Sequence, residues 1–201
     1  MRVVPDSIQA APTGRAKCRG CGRAIGKGEL RFGETGPSSY GEGETTSWFH
    51  LSCCALMRPE KLLPVLEQQV EPLPEREWLE STARLGVEHH RLPRMTRVER
   101  ASSGRATCRS CRELIGKGEW RFVLQLFEEG RPSPMGTIHV SCAHAYFGTT
   151  DVVARARRLT PDLTEADLAD LERALAVQRP GLAKTQGSEG DDGVRTGSDD
   201  D

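Results

Sequence analysis

The sequence predicts an α+β chain made of two small repeated units, each carrying strands and each followed by a helical tail. The first observation behind this is an internal repeat with an offset of 90 residues. Thr13 to Phe32 reads TGRAKCRGCGRAIGKGELRF and Ser103 to Phe122 reads SGRATCRSCRELIGKGEWRF, with thirteen of the twenty positions identical. The match resumes at His50-Leu51-Ser52-Cys53 and His139-Val140-Ser141-Cys142. The second observation is a strand-like alternation that follows the same turn in both copies. The third is composition: 36% hydrophobic and 5% aromatic residues in a chain of 201. That is thin for one large core and suits two small domains held by a staple.

The amino terminus, Met1-Arg2-Val3-Val4-Pro5-Asp6, lacks the apolar core of a secretory signal. No run of about 18 apolar residues is present, so no membrane-spanning helix is expected. In Glu29-Leu30-Arg31-Phe32, Leu30 and Phe32 share one face and Arg31 points the other way. In the second copy Trp120, Phe122, Leu124 and Leu126 alternate with Arg121, Val123, Gln125 and Phe127, a strand of about eight residues. Gly26-Lys27-Gly28 and Gly116-Lys117-Gly118 are the turns that lead into these strands. Variable loops are expected at Gly33–Ser47, rich in Gly, Ser and Thr, and at Glu128–Gly136, with Pro132 and Pro134. An apolar run after each His-x-x-Cys predicts a short helix, ending near Pro59 in copy one. Glu75–Leu85 follows Pro74, a helix-start position, and Leu85–Pro93 reads as the inter-repeat linker. Thr164-Glu165-Ala166-Asp167 resembles a capping box and opens a helix with Leu168, Leu171 and Leu175 on one face. Domain boundaries are expected at 1–90, 91–182 and an acidic, disordered tail at 183–201.

Six of the seven cysteines fall into two matched Cys/His quartets, and the seventh, Cys54, stands beside one of them. An odd count with interleaved histidines reads poorly as a disulfide framework and well as zinc chemistry in a reducing compartment. The first quartet is Cys18, Cys21, His50 and Cys53; the second is Cys108, Cys111, His139 and Cys142. Each has the form C-x2-C, a gap of 28 or 27 residues, then H-x2-C. Two intervening residues let a tight turn aim both side chains at one ion, and the gap leaves room for a hairpin. Two Zn2+ ions are therefore expected, each in a closed, structural site with four protein ligands. Cys54 competes with Cys53 for the fourth place, but copy two has Ala143 there, which favours Cys53. His89, His90 and His144 are read as solvated or helix-face residues rather than ligands. LIM-type modules share the ligand spacing but need a second quartet immediately afterwards, which the stretch from Ala55 to Thr107 does not supply. With closed metal sites and no general base near them, no catalytic residue is identified.

Net charge is −1, and arginine outnumbers lysine 23 to 5. The distribution says more: residues 1–60 carry +2, 61–90 carry −3, 91–150 carry +5 and 151–201 carry −5. Both cysteine-bearing segments are positive.

The string [ST]-G-R-A-x-C-x-x-C, then I-G-K-G-E-x-R-F, then Trp48-Phe49-His50-x-Ser-Cys resembles the zinc fingers of poly(ADP-ribose) polymerases, which also occur in one class of animal DNA ligases. The resemblance covers about residues 8–58 and 98–148. It implies a fold of two zinc-stabilised fingers with short three-stranded antiparallel sheets, and recognition of DNA strand breaks or ends rather than sequence. It assigns Arg15, Arg31, Arg105 and Arg121 to gripping the DNA backbone, for which a planar guanidinium is suited. It also places residues that cover an exposed base face in the variable loop, where Tyr40, Phe127 and Met135 are the candidates. Phe127 fits a core position equally well. Copy two departs from the pattern with Thr137-Ile138-His139, so the tryptophan's packing role is either lost there or taken by Trp120.

These expectations combine into a non-catalytic DNA-binding protein: a DNA-damage sensor or repair adaptor whose partners are nicked, gapped or terminal duplex and a repair enzyme. It is expected in the cytoplasm at the nucleoid of a bacterium, or in the nucleus of a eukaryote, with no membrane partner. The alternative is a zinc-stabilised protein-interaction scaffold for a repair or transcription enzyme. Glu34, Glu42 and Glu44 in the first loop would repel phosphate, which leaves open a division in which copy one binds protein and copy two binds DNA.

Overall fold

The computed structural model describes residues 5–37, 43–128 and 131–177. In the first copy, β1 (Ser7–Ala10), β2 (Leu30–Pro37) and β3 (Glu44–His50) form an antiparallel sheet in that order. In the second, β4 (Met95–Arg100), β5 (Trp120–Glu128) and β6 (Arg131–His139) do the same. The first sheet is followed by α1 (Leu51–Met57), α2 (Pro59–Gln68) and α3 (Arg76–Glu88). The second is followed by a 3-10 turn at Val140–Cys142, then α4 (Ala143–Phe147), α5 (Val153–Leu159) and α6 (Glu165–Ala176). The fold is therefore α+β, with two small three-stranded antiparallel sheets and helical tails. Among the described residues no helix is long and apolar enough to cross a membrane.

The expected variable loops are mostly strand. Copy one keeps its β2–β3 ladder out to Pro37 and Glu44, and copy two pairs Phe127 with Pro132 and Glu128 with Arg131. Gly33 is not a turn residue: it lies opposite Trp48, and a Cβ there would sit 2.7 Å from the indole ring. Glycine at that point makes room for a large cross-strand neighbour.

β4 has no period-2 signature because a register shift between Met95 and Arg97 leaves Met95 and Val98, three apart, as its buried residues. Helix α3 runs on to Glu88 and absorbs part of the expected linker. What remains packs: Leu92, in a 3-10 turn at Leu92–Arg94, is fully buried in the second core. The capping box of α6 forms as expected. Thr164 Oγ1 accepts from Asp167 N at 3.1 Å, Asp167 Oδ2 accepts from Thr164 N at 3.1 Å, and Leu168, Leu171 and Leu175 are buried behind it.

Each copy has its own core, but Phe127 crosses between them. It belongs to β5 of the second copy and is buried in the first core, with Phe32, Phe49, Leu62 and Leu66. Its ring meets Phe49 edge-on at 5.4 Å, and its carbonyl accepts from Arg58 Nη1 at 3.1 Å. A second bridge joins the tails, where Arg158 lies over Trp78 at 4.4 Å and donates to Glu75 at 2.7 Å.

Candidate metal centres and phosphate-facing arginines

Each metal centre is assembled from one turn and one strand end. In copy one the turn Cys18–Arg23 closes through Gly22 N to Cys18 O and Cys18 N to Arg23 O, both 2.8 Å. Gly22 supplies the left-handed conformation, φ 74°, and in copy two Arg112 takes it at φ 67°. Gly20 lets the turn approach closely, since a Cβ there would lie 2.9 Å from Met57 Sδ and 3.1 Å from Cys53 Cβ. His50 ends β3 and Cys53 lies in α1, so the strand-to-helix junction delivers the second ligand pair. The shared GKGE string has a structural reason. Gly28 and Gly118 adopt φ 81° and 84°, while Glu29 and Glu119 fold back to accept from Gly26 N at 2.9 Å and Gly116 N at 2.7 Å.

The ligand atoms of Cys18, Cys21, His50 and Cys53 lie within 4.8 Å of one another, and those of Cys108, Cys111, His139 and Cys142 do so too. His50 points Nδ1 at Cys21 Sγ (3.4 Å) and Cys53 Sγ (3.8 Å), and Nε2 at Ala24 O (3.3 Å). His139 repeats this with Cys111 at 3.4 Å, Cys142 at 3.9 Å and Leu114 O at 3.2 Å. Donation of Nε2–H to the carbonyl assigns the tautomer and leaves the Nδ1 lone pair facing the sulfurs, as a metal requires. Backbone amides support the thiolates: His50 N and His139 N reach Cys18 Sγ and Cys108 Sγ at 3.4 Å.

Crowded thiols cannot all ionise without a cation. Cys18 is held down to about 4, chiefly by a hydrogen bond from Cys53, and the same contact with burial pushes Cys53 up. Cys108 is likewise held down to about 4 by Cys142, which is pushed up. A dication relieves this conflict by stabilising every thiolate at once. Three sulfurs and one imidazole are a zinc donor set, so each tetrad can hold one Zn2+, two per chain. With four protein ligands, no position remains for a water or substrate. Cys54 is outside the tetrad: it is fully buried, and its thiol faces Arg58 O at 3.9 Å. His89, His90 and His144 are outside the tetrads too.

The four arginines are placed differently. Arg15 and Arg105 are exposed, three residues before the first cysteine of each turn. Arg31 lies opposite His50 across β2–β3 and Arg121 opposite His139 across β5–β6, so each shares a sheet face with a metal ligand. Arg31 is only 7% exposed, its guanidinium lies 3.5 Å from the centre of the Trp48 ring, and its Nε is buried without a partner. Desolvation pushes its pKa down. Arg121 instead donates to Glu99 Oε1 through Nε (3.0 Å) and Nη2 (2.5 Å). Trp120 does not replace Trp48: it is buried, with Nε1 bonded to Asp170 at 2.9 Å and Arg100 stacked at 4.2 Å.

Of the base-face candidates, Tyr40 lies outside the described residues. Phe127 is 8% exposed in the inter-repeat core, so its ring is not presented to a base. Met135 is half-buried against the second core, and its carbonyl accepts from Arg109 at 2.8 Å. Sequence reasoning missed Gln9 and Glu99, the cross-strand neighbours of Arg31 and Arg121. The repeat offset would have aligned them, had β1 and β4 been recognised.

Residues 9–90 match the family model described as "Poly(ADP-ribose) polymerase and DNA-Ligase Zn-finger region". The chain is similar to poly [ADP-ribose] polymerase 1 of Oryza sativa subsp. japonica, 29% identical over 153 residues, which cover 71% of this chain and 15% of the relative. It is similar to the Drosophila melanogaster poly [ADP-ribose] polymerase, 27% identical over 128 residues, 57% of this chain and 13% of the relative. Similarity to Caenorhabditis elegans poly [ADP-ribose] polymerase 1 is 36% over 50 residues, 25% of this chain and 5% of the relative. The chain thus spans a small fraction of the length of these curated relatives.

Proposed function

We infer, from a chain whose residues 9–90 match the poly(ADP-ribose) polymerase and DNA-ligase zinc-finger family model and whose second copy repeats the same metal centre, that this protein binds DNA at strand breaks or ends, independently of sequence. The observation that carries the reading is the pairing of a closed metal tetrad with arginines placed beside it. One guanidinium precedes each Cys-x-x-Cys turn, and another lies on the strand opposite the ligating histidine. Phosphate binding rewards rigid, forked donors on a scaffold that needs no reorganisation. The metal supplies that rigidity, and its closed coordination suits structure rather than hydrolysis.

The chain acts in this reading as a non-catalytic sensor or adaptor that marks broken DNA, with a repair enzyme as its protein partner. Backbone contact supplies most of the affinity and should therefore be salt-dependent. The test is an electrophoretic shift of a labelled nicked duplex with zinc-loaded protein, across a salt series and after chelation. Binding that weakens steeply with salt and disappears with the metal is expected. Absence of binding to any DNA at low salt overturns this function and promotes the protein-interaction scaffold.

A further inference from the structure

The two copies enclose a cleft between them. Pro59, at the start of α2, and Leu126 and Phe127 of β5 make its apolar floor. Arg58, Lys61, His90 and Arg94 stand around that floor, with Glu60 as the one carboxylate among the lining residues. The floor draws on both copies, so the cleft exists only while Phe127 is seated in the first core. No metal ligand lines it, and neither does Arg15, Arg31, Arg105 or Arg121.

The cations around the cleft are not equally engaged. Arg58 is committed, with Nε donating to Glu34 at 2.9 Å and Nη1 to the Phe127 carbonyl at 3.1 Å, so it forms a wall. Lys61 is loosely paired: its Nζ lies 3.9 Å from Asp6, and its side chain is half exposed. The side chains of Arg94 and His90 have no hydrogen-bond or ion-pair partner among the described residues. Two cations and a histidine are thus set against Glu60 alone. The cleft holds about 160 Å³. Cofactor pockets hold roughly 300–1,000 Å³, whereas a cavity of about 150 Å³ accepts one benzene-sized group. The space therefore fits a single large apolar side chain.

We propose that this cleft docks a protein partner through a short acidic segment, with one leucine- or phenylalanine-sized side chain lying over Leu126 and Phe127 and carboxylates on either side of it meeting Lys61 and Arg94. This rests on the adaptor reading above and gives the partner its chemistry. An apolar anchor in a pocket, ringed by complementary charge, is an arrangement in which few contacts supply most of the affinity and the charges select the partner. The floor separates such a segment from a phosphate, which fits the cations but leaves the apolar surface uncovered. Because the cleft shares no residue with the metal-side arginines, partner and DNA are bound together.

The experiment titrates the isotope-labelled, zinc-loaded full chain with three capped pentapeptides, Asp-Asp-Phe-Asp-Asp, Asp-Asp-Ala-Asp-Asp and Lys-Lys-Phe-Lys-Lys, and follows the amide resonances with and without a nicked duplex. The acidic phenylalanine peptide should shift the amides of Lys61, His90, Arg94 and Leu126 at about 1 mM or below. Alanine in place of phenylalanine should weaken it about tenfold, and the lysine peptide should not bind. Arg94→Glu should weaken the acidic peptide about tenfold and Leu126→Ser about fivefold, at unchanged zinc content and thermal midpoint. Nicked duplex should leave the peptide's affinity within about twofold, as for independent sites. Equal binding of the alanine and phenylalanine peptides, or displacement by the duplex, would make the peptide a phosphate mimic and overturn the proposal. Equal binding of the lysine peptide, or no shift at the cleft with the acidic phenylalanine peptide, overturns it too, and these comparisons on the parent chain survive even where a variant fails to fold. Failure of the two readings is distinguishable: a chain that takes the peptide but no DNA loses the proposed function and keeps the docking site, and a chain that takes DNA but no peptide does the reverse.

Discussion

Phe127, from the second copy's sheet, packs edge-on against Phe49 of the first, ring centroids 5.4 Å apart at 73°. Phe49 stands directly before the ligand His50, so the contact ties one finger's metal centre to the other finger's hairpin. Truncation at Phe127 removes both the buried ring and the coupling. Phe127→Ala should lower stability by about 3 kcal/mol, within the range for buried phenylalanines. It should also split a single denaturant transition into two. One unchanged cooperative transition would show that the copies do not depend on this contact.

How much of this was legible in the sequence depends on how far each partner lay along the chain. The tetrads were legible because ligand spacing is local and occurs twice. Strand β5 was legible because Trp120, Phe122 and Leu124 alternate cleanly. Strand β4 was not, because its bulge moves the buried residues to Met95 and Val98. The hairpins read as loops because Gly33 and Pro132 look like turn residues, when one makes room for Trp48 and the other pairs with Phe127. The fate of Arg121 depends on Glu99, on the unrecognised strand. That of Phe127 depends on a partner in the other repeat, which no local pattern encodes.

The metal turns differ at one backbone position. Gly22 occupies the left-handed region without a Cβ, whereas Arg112 holds φ 67° with one. Left-handed backbone disfavours L-residues by roughly 1–2 kcal/mol, partly offset by the greater unfolded-state freedom of glycine. Arg112→Gly should therefore stabilise the second finger by about 0.5–1 kcal/mol, read as a higher denaturation midpoint at constant zinc. A lower midpoint would mean that the Arg112 side chain contributes more than its backbone loses.

Gly33 tests the indole over Arg31. An added Cβ would lie 2.7 Å from the Trp48 ring, so the ring must move. Gly33→Ala should lower stability by about 1–3 kcal/mol through overpacking. It should also weaken DNA binding, because Arg31 loses its stacked support. Unaltered stability and affinity would show that the ring is not held where the structure has it.

Zinc should carry most of the folding free energy of each small unit. Elemental analysis should give two zinc ions per chain, and chelation should abolish the cooperative transition. Affinity should fall as pH falls, because each ligand thiolate must be deprotonated to bind. A chelated chain that keeps its near-ultraviolet dichroism and its transition would contradict a structural role for the metal.

In the proposed function a break, and not duplex DNA in general, is what the chain recognises. Phosphate contacts are the same on intact and broken duplex, so discrimination requires contact with an exposed base face or selection for flexibility at the break. The direct measurement is the equilibrium affinity of zinc-loaded protein for one circular DNA in covalently closed form and with a single nick, at identical salt. A break sensor should prefer the nicked circle by about tenfold or more, about 1.4 kcal/mol, the lower end of what one stacked base supplies. Equal affinity for the two circles would mean that the chain does not recognise breaks.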